Sequence, residues 1–201
     1  MKSVKAGFYL CPMSTILDDK TFTELNYAKT IERNTEFNNC IFKKCDFSDA
    51  EFTGCKFIEC VFEHCNLSMI KLDRSTLNDV TFKDCKLLGV NFSMAEDFLF
   101  SVRFESCALD YSSFMRKKMP KTVFKKSSLK EVTFTQAILN GSVFEECNLL
   151  ETVFRQTDLT SVNFSTALNY IIDPELNIMK KAIFSSHGLE GLLFKYDLKI
   201  V

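Results

Sequence analysis

The sequence predicts a solenoid, a square coil whose wall turns about 90° every five residues, and three observations lead to it. Phenylalanine or leucine recurs at every fifth position: Phe37, Phe42, Phe47, Phe52, Phe57, Phe62, Leu67, Leu72, Leu77, Phe82, Leu87 and Phe92, then from Phe104 through Leu109, Phe114, Met119 and Phe124 to Phe164. A step of five rotates an α-helix by about 140° and alternates the faces of a strand, so neither element buries the set. Columns twenty residues apart share a residue type, as stacked neighbours must. Phe22, Phe42, Phe62, Phe82, Phe104, Phe124, Phe144 and Phe164 make the first column, and Tyr27, Phe47, Leu67, Leu87, Leu109, Leu129 and Leu149 the second. Glu32, Phe52, Leu72, Phe92, Phe114, Phe134 and Phe154 make the third, and Phe37, Phe57, Leu77, Met119, Leu139 and Leu159 the fourth, with a gap after Leu77. Finally, the residue two places before each large apolar one is small, as the corner of a narrow square requires; eight of the nine cysteines fall there, Cys11 excepted.

Taken along the chain, residues 1–20 lie outside the register and read as a cap on the first coil or a disordered segment. Residues 21–165 form the coil, about seven turns and about 35 Å long at about 4.8 Å per turn. The step from Phe82 to Phe104 is two residues too long, which places an insertion on the fourth face within residues 93–103. That segment holds Glu96, Asp97, Phe98 and Phe100; it reads either as a bulge in which Phe98 or Leu99 refills the fourth face or as a projecting contact loop. Residues 115–123 keep the length but lose the pattern, with Lys117 in a small slot and Pro120 unable to donate to a ladder. A charge in a dry corner is costly, so Lys117 is expected to turn outward on distorted backbone. Residues 166–201 form a C-terminal cap: Phe184 with Ala182 offers one further rung. Ser185 or Ser186 then caps a short helix over about residues 187–196, whose Leu189, Leu192, Leu193 and Tyr196 share one apolar face and offer a symmetric dimer contact.

Segments such as CDFSD (45–49), CNLSM (65–69), CKLLG (85–89), CNLLE (147–151) and TDLTS (157–161) resemble the pentapeptide repeat family, over about residues 20–165. The resemblance implies an all-β solenoid, a right-handed quadrilateral parallel β-helix, here with a short C-terminal helical cap. Within that family the Phe- and Leu-centred rod, the mid-chain interruption and the hydrophobic C-terminal helix look most like the Qnr-like, quinolone-resistance group. That likeness implies a protein partner, a type II topoisomerase (DNA gyrase or topoisomerase IV), protected from quinolones or toxins by partial DNA mimicry. The loop Glu96, Asp97, Phe98 and Phe100 would be its specificity element. The alternative is a structural scaffold with another partner, since a fold does not fix a function.

Charge and composition limit the other classes. The formal net charge of −1 conceals a basic belt, Arg116, Lys117, Lys118, Lys121, Lys125, Lys126 and Lys130, between two acidic stretches. The belt reads as a solvated face or an anion-, nucleic-acid- or protein-contacting patch. Without interleaved aromatics it does not favour direct nucleic-acid binding. No nucleotide-binding loop, zinc spacing or nucleophile motif is present, and His64 and His187 stand apart from any, so no catalytic residue, cofactor or metal is expected and the chain reads as a non-enzyme. Cysteines sharing a slot with Ala, Ser, Thr and Val read as reduced packing residues. With no signal peptide or membrane-length apolar run evident, the expected compartment is cytoplasmic.

Overall fold

A computed structural model describes residues 15–199, so Cys11 and most of the N-terminal segment lie outside the described residues. The chain is a parallel β-solenoid. Its first face is a nine-stranded sheet running from Thr21–Thr23 to Ile183–Phe184, nine rungs and hence eight turns. The rod is therefore one turn longer than the spacing predicts, because Phe184 does form a further rung on Phe164. It also starts earlier: Ile16–Asp18 pairs with Glu36–Asn38 and sets Leu17 opposite Phe37, which extends the fourth column below residue 21.

Every strand pair is parallel, and all keep the twenty-residue register except the one that sets Phe82 opposite Phe104, twenty-two residues on, so the two-residue insertion is absorbed between these rungs. Inside, phenylalanine rings stack along the axis, as for Phe42 on Phe62 at 4.6 Å and Phe92 on Phe114 at 4.5 Å. Across each corner they meet edge to face, as for Phe114 and Phe124 at 6.0 Å. Both are favoured arrangements of the ring quadrupole.

The small slot has a second use that size alone does not reveal. Several of its polar side chains donate to main-chain carbonyls of the preceding turn: Cys60 Sγ to Phe37 O at 3.2 Å, Ser75 Oγ to Phe52 O at 2.9 Å, Thr157 Oγ1 to Phe134 O at 2.9 Å. Cysteine, serine and threonine therefore satisfy an inward acceptor that alanine would leave bare. All eight described cysteines are buried and free. Corners are made by the residue two places after each large apolar one, which takes a left-handed conformation, as in Asp49 (φ 55°), Met69 (φ 58°) and Lys126 (φ 49°). Each costs about 1 kcal/mol or more for a non-glycine residue, offset by an N–H donated to the next turn, as from Asp49 to Ser68 O at 3.0 Å.

At the C-terminus the helix is shorter than its apolar spacing suggests. Ser185 does cap, accepting from His187 N at 3.3 Å, but Ser186–Gly188 is a 3-10 turn, Glu190–Leu193 a single α-turn, and Phe194–Tyr196 again 3-10. The two glycines explain the break. Tyr170 fills the end of the core between Phe164 and Phe184, and a Cβ on Gly191 would stand 2.1 Å from the Tyr170 carbonyl oxygen, one on Gly188 2.1 Å from its hydroxyl. Close approach to Tyr170 thus takes precedence over helix propensity. Lys195 ties the cap to the turn Pro174–Leu176, reaching Asp173 at 2.9 Å and Glu175 at 2.7 Å.

Candidate functional site

The uniform walls present little that is distinctive, because their charges pair from rung to rung. Lys43 meets Glu63 and Lys125 meets Glu145, each at 3.0 Å; Lys56 meets Glu36 at 3.0 Å, and Lys71 meets Glu51. The outward position of the first face, Lys43, Glu63, Lys83, Glu105, Lys125, Glu145, alternates in sign up the rod. What breaks this regularity is the interrupted coil.

There the chain first tightens. Asn91 caps a 3-10 turn over Phe92–Met94, its Oδ1 accepting from Ser93 N at 3.2 Å and Ser93 Oγ at 2.6 Å. Ala95 takes the buried slot, and the chain then leaves the wall between two inter-rung bonds, Glu96 N to Ser75 O and Ser101 N to Leu77 O, each 2.9 Å. Phe100 N donates to Asp97 O at 3.3 Å, and Leu99 takes φ 58°, which closes the excursion as a tight loop. Its two aromatics part company: Phe98 is 75% exposed, whereas Phe100 is 6% exposed and packs edge to face on Phe92 at 6.5 Å. Phe100 therefore fills the gap in the fourth column, and the expectation that Phe98 or Leu99 would do so is corrected. Both of those side chains point outward, Leu99 at 55% exposure, because the two extra residues carry them past the wall.

Lys117 overturns a second expectation. It does not turn outward; it is 1% exposed, in the inward slot one rung beyond Ala95. Its ammonium donates to the carbonyls of Ala95 and of Glu96 (3.3 Å) and to Asp97 Oδ1 (3.0 Å), and lies 4.6 Å above the Phe100 ring. A buried ammonium costs several kcal/mol unless paired and hydrogen-bonded, and the insertion supplies three acceptors and an aromatic face. The insertion and the misplaced lysine, which look like two defects in the sequence, are one unit that braces the loop from below.

The remaining belt residues do not form a single patch. Arg116 stands at the corner before the fourth face, donating to Gln136 Oε1 at 2.9 Å; Lys118 is on that face and Lys121 at its far corner. Lys125 is on the first face with Glu145, and Lys126 at the next corner. A coil that turns every five residues distributes a linear charge run around its girth. At the cap, Leu192 packs against the core, while Leu189, Leu193 and Tyr196 are exposed beside Phe194 at 69%. Tyr196 also donates its hydroxyl to Glu175 at 3.0 Å. Among the described residues no group of three or more His, Cys, Asp or Glu is placed to hold a metal ion, and no helix is long and apolar enough to cross a membrane.

Comparison with known proteins matches this geometry. A family model described as "Pentapeptide repeat region" matches residues 35–114 and 55–134, and one described as "Pentapeptide repeats (8 copies)" matches residues 127–165. No curated protein matches the sequence. Among solved structures, a trypsin-treated form of QnrB1, a plasmid-mediated fluoroquinolone resistance protein, superposes with a TM-score of 0.71 at 16% identity, over 94% of this chain and 98% of that one. Full-length QnrB1 gives 0.64 at 17% identity, over 89% and 100%. HetL, a pentapeptide repeat protein involved in heterocyst differentiation regulation in a Nostoc cyanobacterium, gives 0.50 at 14% identity, over 84% of each chain. At these identities the likeness is one of fold.

Proposed function

We propose that this chain, which belongs to the pentapeptide repeat family, is a non-enzymatic binding protein whose partner is a type II topoisomerase, DNA gyrase or topoisomerase IV, protected by it from quinolones or peptide toxins. The observation that carries this reading is the loop: two exposed apolar side chains, Phe98 and Leu99, on a turn braced by a buried lysine halfway along the rod. A loop held in one conformation loses little entropy on docking, so it is suited to act as a specificity element. The fold shared with a fluoroquinolone resistance protein supports the choice of partner. DNA mimicry is a partial contribution only. Several wall acids are neutralised by lysines across rungs, and among the described residues it falls to acids such as Glu59, Asp73, Glu131 and Glu151, which have no such cation, to stand in for phosphates.

The same rung-to-rung pairing favours a second reading, a scaffold that presents this loop to another protein. Supercoiling by gyrase, with and without ciprofloxacin, separates the two. The wild-type chain should restore supercoiling in the presence of drug, and the double variant Phe98→Ala, Leu99→Ala should lose at least about tenfold in potency while unfolding at the same urea concentration. Inertness of the wild type in both conditions would leave the scaffold reading. The exposed Leu189, Leu193 and Phe194 at the cap are the proposed face of a homodimer, which light scattering on the same samples would show as twice the 23.1 kDa chain mass. Eight buried free thiols suit a reducing, cytoplasmic setting.

A further inference from the structure

The loop and part of the basic belt, separate in the sequence, meet at one corner of the rod. Arg74 N donates to Met94 O at 2.9 Å, and the register that pairs Asn91 with Ser113 sets Arg116 on the other side of Met94 and Lys118 beyond Glu96. The pairing of Arg103 with Val123 likewise sets Lys121 beyond Ser101, where the loop rejoins the wall. Successive rungs are about 4.8 Å apart, so Arg74, Arg116, Lys118 and Lys121 surround the loop within about two rungs.

Charge is uneven here, unlike on the walls. Asp97 is bound to Lys117 at 3.0 Å, and Asp79 lies 3.9 Å from Arg103. Among the described residues the four surrounding cations make no ion pair with a carboxylate, and the unpaired acids beside them are Glu96 and Asp73, fewer than the cations. At the centre stand Phe98, Leu99 and Met94, exposed by 75%, 55% and 50%. The surface is thus an apolar knob with a basic rim.

We infer that this corner docks into an apolar pocket of a protein partner that is rimmed by carboxylates. The inference rests on the partner-binding reading and restricts it: on a topoisomerase the loop would seat at an acidic site and not in the positively charged groove that holds DNA, where like charges would repel it. A protein is favoured over a nucleic acid because Leu99 and Met94 have no face on which a base could stack, whereas they fill a pocket well.

Random peptides displayed on phage and selected on the wild-type protein test the surface without assuming its partner. Enriched sequences should combine Glu or Asp with aromatic or branched apolar residues. As synthetic peptides they should bind about tenfold more weakly to both Phe98→Ala, Leu99→Ala and Arg116→Glu, Lys118→Glu, and more tightly to Glu96→Gln. Absence of enrichment, enrichment of basic peptides, or binding indifferent to these variants would overturn the inference. So would tight binding of a duplex DNA that is lost in Arg116→Glu, Lys118→Glu but kept in Phe98→Ala, Leu99→Ala. Purified gyrase in a separate arm distinguishes the failures: gyrase that binds the wild type and the charge-reversed variant equally sinks this inference, whereas gyrase that binds neither while acidic peptides bind sinks only the choice of partner.

Discussion

Raising the pH from about 9 to about 11 is expected to unfold this protein, and its buried thiols are a principal cause. Burial pushes the Cys55 thiol up to about 11 and those of Cys60 and Cys147 up to about 12. In the unfolded chain the same thiols ionise near about 8.5. Below that pH both states hold the proton, and stability does not depend on these groups. Between it and the folded values only the unfolded state releases protons, so each thiol lowers the unfolding free energy by about 1.4 kcal/mol per pH unit. Three of them remove about 4 kcal/mol per unit, which over two units rivals the whole stability of a typical domain, about 5 to 15 kcal/mol. Urea midpoints measured from about pH 8 to 11 check this. The variant Cys55→Ala, Cys60→Ala, Cys147→Ala, though less stable at neutral pH, should show a clearly flatter decline; an equal slope in the two proteins would refute the assignment.

The second large effect belongs to Lys117. Lys117→Ala should cost about 2 to 4 kcal/mol, because it opens a cavity in the slot and leaves the Ala95 carbonyl without its donor. Lys117→Met, which refills the volume without the charge, should recover much of that stability, as apolar replacement of buried ion pairs often does. It should not recover the loop. With three acceptors released, the amides of residues 96–100 are expected to exchange hydrogen faster in both variants, and the methionine variant should bind partner more weakly despite near-normal stability. A methionine variant with wild-type exchange in the loop would show that the lysine only fills space.

The architecture was legible because a solenoid converts sequence period into contact. Phe42 touches Phe62 only because twenty residues make one turn, so the columns, the slot that collects Cys40 through Cys147, and the face carrying the insertion can all be read from spacing. The site was legible only in part. Residues 93–103 and 115–123 stood out as departures from the pattern, but their relation did not. Lys117 and Asp97 are twenty residues and so one turn apart, but their side chains meet only because Lys117 turns inward, and whether the two extra residues lengthen the loop or refill the wall depends on which side chain fits beside Phe92. Phe98, Leu99 and Phe100 are equally apolar as letters; backbone direction after the left-handed Leu99 sends one of them in.

The cap illustrates the same boundary. Leucine spacing in residues 187–196 suggested one continuous helix, but the space left by Tyr170 admits only main chain at Gly188 and Gly191 and breaks it into single turns. The sequence alone thus determined the coil, its four columns, its insertion and the reduced state suited to its cysteines, because these follow from a period repeated many times, in which single exceptions do not matter. Only the tertiary structure decided the inward turn of Lys117, the choice of Phe100 over Phe98, and the meeting of loop and cations at one corner. Each depends on a single contact across a rung, where charge, volume and backbone direction compete for one position and no repeat exists to reveal the outcome.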